Sequence, residues 1–206
     1  MTRQFHRPAS LDPEQAEEIV GDEDPAAESG LAHSTAWALL GVPSEDFSAQ
    51  DLPRVLSAVR EQGVDVLAES WSRSPEFTLP GALWRLYLLL QWNELNPAAL
   101  TERYAEGLAA MARQDHDVEA PDLDEVMRAV EATLTGYATD DDLAPVLAAA
   151  SHVMRVLAAS VQYGPEWITT DDHVLAHRVT RRPTALLATA DELDESARQA
   201  RAGTLN

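Results

Sequence analysis

Two imidazoles four residues apart, His173 and His177, are the pair in this sequence best spaced to share a metal ion. On an α-helix that spacing stacks both rings on one face, and Asp171 or Asp172, with His152 or a distant acid, would complete a ligand set. The same two residues also suit the polar face of a surface helix. Two ligands without a third and fourth do not define a site, so a metal-dependent enzyme built on His173 and His177 stands as one alternative. His116, between Asp115 and Asp117 ahead of Pro121, offers less.

Arg85 poses a different problem. It sits in the segment Gly81–Leu95 (GALWRLYLLLQWNEL), whose apolar side chains point in every direction around a helix, with Trp84, Leu88, Trp92 and Leu95 on one stripe. A helix apolar on all sides is a buried one. A guanidinium carried into it needs a partner, because an unpaired charge in a core pays a heavy desolvation penalty. Either Arg85 grips an anionic ligand in a pocket walled by Trp84, Tyr87 and Trp92, or it forms a structural salt bridge with a core-facing carboxylate.

A third candidate is the basic run Arg178, Arg181 and Arg182. The chain has 35 acidic against 15 basic residues and a formal charge of −20, which repels nucleic acid and anionic membrane over most of the surface. Residues 164–206 are closer to neutral, with five arginines against seven acids. This run could touch nucleic acid or an acidic partner while the rest stays away, or it could satisfy the negative end of its own helix or dock an acidic arm. A ligand-responsive or nucleic-acid-associated regulator using this patch is the second alternative.

The exclusions are broader than the candidates. The absence of cysteine removes disulfides, thiolate nucleophiles, iron–sulfur clusters and thiolate zinc sites together. There is no G-x-S-x-G elbow, glycine-rich phosphate loop, H-E-x-x-H or E-x-x-H pattern, and the glycines are scattered singly. No cofactor is implied. Every basic residue is arginine and none is lysine, which reads as the codon bias of a high-GC bacterial genome or as salt adaptation.

These residues must be positioned by helices. No segment alternates with period two, and single glycines and prolines punctuate stretches of helical length: Gly41, Gly63, Gly136 and Gly164 as stops, Pro53, Pro80, Pro97 and Pro145 within first turns. The segments read as Leu31–Leu40, Ala49–Gln62, Val64–Ser72, Pro80–Leu95, Pro97–Arg113, Leu123–Thr135, Asp141–Tyr163, Asp172–Arg182 and Thr184–Ala202. Ser48 with Asp51, Asn96 before Pro97, Thr139 before Asp140–Asp142 and Thr170 before Asp171 and Asp172 supply caps, so the acidic triplet 140–142 is a helix start before it is a metal site. Ala-rich Asp141–Tyr163 is expected beside the central helix, through Ala148, Ala149, Val153, Val156 and Ala159.

The expected fold is all-α, a single orthogonal or bundle-like domain of about eight helices around a buried Trp-rich central helix. Residues 30–206 form this domain. Residues 1–29 form an acidic, mobile N-terminal arm, since Asp12 to Glu28 hold eight carboxylates and few large apolar groups. The longest apolar stretch, Gly81 to Leu90, is too short to cross a bilayer and no apolar leader is present, so a cytoplasmic protein without membrane attachment is expected. With no catalytic constellation in view, and with Trp37, Trp71, Phe77 and Trp167 near segment ends, the first expectation is a non-enzymatic helical protein. It would bind a protein partner or itself, as a homodimer for example, and reach nucleic acid only through the C-terminal arginines.

Overall fold

A computed structural model describes residues 25–113, 119–160 and 185–206. These form eight α-helices and no strand: α1 Pro25–Leu39, α2 Leu52–Gln62, α3 Asp65–Trp71, α4 Leu79–Leu95, α5 Pro97–Ala112, α6 Leu123–Leu134, α7 Asp140–Ala159 and α8 Ala185–Ala202. The all-α, bundle-like reading holds. The segment Asp172–Arg182 and the cap at Thr170 lie outside the described residues, as does the acidic arm before Pro25. Residues 25–29, assigned from the sequence to that arm, form the start of α1, and Glu28 there faces Arg73 at 3.4 Å.

The α4 helix is the hub. Ten of its residues from Leu79 to Leu90 are buried, on every side of the helix, and it packs against α1, α3, α5, α6, α7 and α8. Its start is held by three hydrogen bonds. Thr78 Oγ1 accepts from the Gly81 amide at 3.2 Å and donates to the Pro75 carbonyl at 2.7 Å, and the Leu79 amide donates to the Asn206 carbonyl at 2.5 Å. The last of these folds the segment after α8 back over the start of α4, with Leu205 buried in the same core.

The most extensive contact is not the expected one between α4 and α7. It joins α7 to α8, with α5 as the next partner of α7. Periodicity marks which side chains of α7 are buried, and Val153 and Val156 are, but it carries no information on which helix buries them. Two small features let the neighbours close in. Ser151 Oγ donates to the Ala190 carbonyl at 2.7 Å across α7–α8. Gly107 of α5 lies so near α7 that a methyl group there would come within 2.0 Å of the Val156 carbonyl oxygen. By length and composition α7 could cross a membrane, the one such helix among the described residues, yet over half of that span is buried inside the bundle.

The stops and starts follow local chemistry. Gly41, Gly63 and Gly136 all have positive φ, the conformation expected of them after a helix. At Gly136 the left-handed turn exposes the end of α6 to Arg60, which donates to the Thr135 and Gly136 carbonyls at 3.3 and 2.7 Å and so caps α6 from α2. Pro145 falls in the second turn of α7 rather than the first, because the helix starts at Asp140, and its missing amide leaves the Asp141 carbonyl without that donor. Asp142 accepts from the Thr139 amide and hydroxyl at 2.9 and 2.8 Å, and Asp51 accepts from the Ser48 amide and hydroxyl at 3.1 and 2.6 Å. These bonds hold both carboxyls below their ordinary value of 3.8. A carboxyl lowered by folding stabilises the fold fully above the ordinary value, and that contribution is lost as pH falls through the lower folded-state value.

The tightness of the α5–α7 crossing is directly testable. Gly107→Ala should destabilise the fold by about 1–3 kcal/mol through overpacking. Gly30→Ala, mid-helix with open space around it, should stabilise by up to about 1 kcal/mol through helix propensity. The two midpoints of urea unfolding should therefore move in opposite directions, and a Gly107→Ala midpoint at or above that of the parent would show that the crossing is loose.

Candidate functional site

Arg85 has found its partner inside the fold. Its Nε donates to Glu192 Oε2 of α8 at 2.5 Å, and its Nη1 donates to the Gly81 carbonyl at 2.7 Å. The two side chains are 12% and 25% exposed, so the pair sits at the edge of the core, where water screens it only in part. Of the two fates that the sequence allowed, the geometry is that of the structural salt bridge. The aromatic residues around Arg85 are engaged as well. Trp84 and Tyr87 stack with ring centroids 5.4 Å apart, and Tyr87 donates its hydroxyl to Asp65 Oδ1 at 2.6 Å, tying α4 to α3. Trp92 faces Arg103, whose guanidinium carbon lies 5.8 Å from the indole centre.

Arg103 was not singled out in the sequence. It is buried between α5 and α7, with Nε donating to the Leu157 carbonyl at 3.3 Å. The signal was available: Arg103 belongs with Leu100, Tyr104 and Gly107 on the apolar stripe of α5, where a charge is out of place. Among the aromatic residues expected at interfaces, Trp71 is fully buried and donates to Thr35 Oγ1 at 3.1 Å, Trp37 is half-buried, and Phe77 is exposed. His173 and His177, Arg178, Arg181 and Arg182, His116 and Trp167 lie outside the described residues. His152 is exposed on α7, and among the described residues no three His, Asp or Glu side chains converge as metal ligands would.

Two concavities are open to solvent. One of about 420 Å³ lies between α1 and the loop that follows it, lined by His33, Trp37, Glu45 and Asp46 among others. Asp46 accepts there from Ser34 Oγ at 2.6 Å. The other, of about 310 Å³, is a groove between α4 and α6 with Leu90 and Met127 at its base and Asn93, Asp124, Arg128 and Glu131 around it.

Glu94 stands beside the second groove. Its carboxyl is raised above the ordinary 4.5, first by burial and then by the negative charges of Asp65 on α3 and Glu131 on α6. Gln91, one turn earlier on α4, donates to Glu94 at 3.0 Å and acts the other way. The sign of the resulting linkage is opposite to that of the caps: ionising Glu94 opposes folding, so the penalty is absent below 4.5 and grows as pH rises through the higher folded-state value. At the far end of α6, Tyr104 donates its hydroxyl to the Pro121 carbonyl at 2.6 Å, and burial, with Asp122 nearby, pushes its ionisation upward.

The α4–α8 pair can be weighed by a double-mutant cycle. Glu192→Gln should cost about 1–3 kcal/mol, less than for a fully buried pair, because a half-buried guanidinium loses its counter-charge. Arg85→Met with Glu192→Leu should recover most of that loss, as both charges leave together. Denaturant unfolding of the parent, Arg85→Met, Glu192→Leu and the double variant closes the cycle, and a neutral Glu192→Gln would mean that the pair does not hold α4 to α8.

No protein-family model, no curated protein and no solved structure matches this chain, so its candidate site is defined by its own geometry alone.

Proposed function

We propose that this chain is a non-catalytic helical module that binds a protein partner or a second copy of itself. The observation that carries this reading is the exposure of three large apolar side chains, Val66, Leu95 and Tyr137, at 67%, 56% and 69%. Each lies at a helix end: Val66 in the first turn of α3, Leu95 as the last residue of α4 and Tyr137 just after α6. Arg60 of α2 reaches the end of α6 and lies over the Tyr137 ring at 4.1 Å; Val66 follows Asp65, and Leu95 follows Glu94. Exposed apolar residues are ordinary, but three this large and this open, an aromatic among them, fit surface that another protein covers.

The inward-facing chemistry supports the same reading. Arg85 serves Glu192, the Tyr87 hydroxyl serves Asp65, and the Trp71 indole serves Thr35, so these groups act as joints of a scaffold.

A photo-crosslinking residue placed at position 66, 95 or 137 in the full chain should give a discrete adduct in cells, with a partner or with a second copy, whereas the same residue at exposed Glu102 should not. A strict monomer by light scattering, with no adduct at any of the three positions, would show the reading to be wrong.

A further inference from the structure

We draw no further inference here: the strongest candidate, the open concavity between α1 and the loop that follows it, lined by Trp37, His33, Glu45 and Asp46 among others, carries nothing because both acids are exposed, Asp46 already accepts from Ser34, and nothing in the structure shows what covers it.

Discussion

A helix that is apolar on every side can be stable in water only if other helices surround it, and α4 imposes that condition on the rest of this protein. Six of the described helices contact it. Where the connections are shortest, at residues 63–64 and at Asn96, the next helix must turn away at once, and Gly63 and Pro97 mark those turns. Enclosure also explains why two polar groups of the buried part of α4 are directed to particular partners. The Arg85 guanidinium and the Tyr87 hydroxyl lie at the edge of the apolar packing, and each is met by a carboxylate from another helix.

Arginine is scarce here and acid abundant, and the fold uses the two differently. Half of the described arginines sit at joints between elements: Arg60 on the end of α6, Arg73 beside Glu28, Arg85 with Glu192, Arg103 on the Leu157 carbonyl and Arg155 with Asp191 at 2.7 Å. Acids are well placed at the starts of α6 and α7, where Asp122 and Asp142 make capping bonds. With 15 cations for 35 anions, many carboxylates must go unpaired, and most do so in open solvent at little cost. Glu94, itself exposed, differs in that partial desolvation and the negative charges of Asp65 and Glu131 raise its carboxyl.

For the described helices, existence and type were legible in the chain because they depend on local chemistry, whereas the start of α1 at Pro25, six residues before the expected Leu31, was not. Leu123–Leu134 lies between Asp122 and Gly136 as capping rules require, and α4 announces its burial by composition alone. The need of Arg85 for a partner was equally plain, whereas the identity of Glu192 was not. Nothing local distinguishes that acid from Asp191 or Asp194 until α8 is laid against α4 at a given rotation. The pairing of α7 with α8 rather than α4 escaped for the same reason, since a hydrophobic stripe has no address. The charge around Glu94 was half legible: Glu94 and Glu131 at the ends of helices are readable from the chain, but their approach to Asp65 exists only after α3, α4 and α6 have packed.

The bond between Arg85 and Glu192 also has a meaning in time. The two residues are 107 positions apart, and the Asn206 carbonyl that meets the start of α4 comes later still. A ribosome adding about 5–20 residues per second needs on the order of 5–20 s to pass from one to the other. Through that interval the most apolar helix of the chain has been made, while its counter-charge and its last covering helix have not. The pace of translation therefore sets a lower limit on how long α4 waits for its last covering helix.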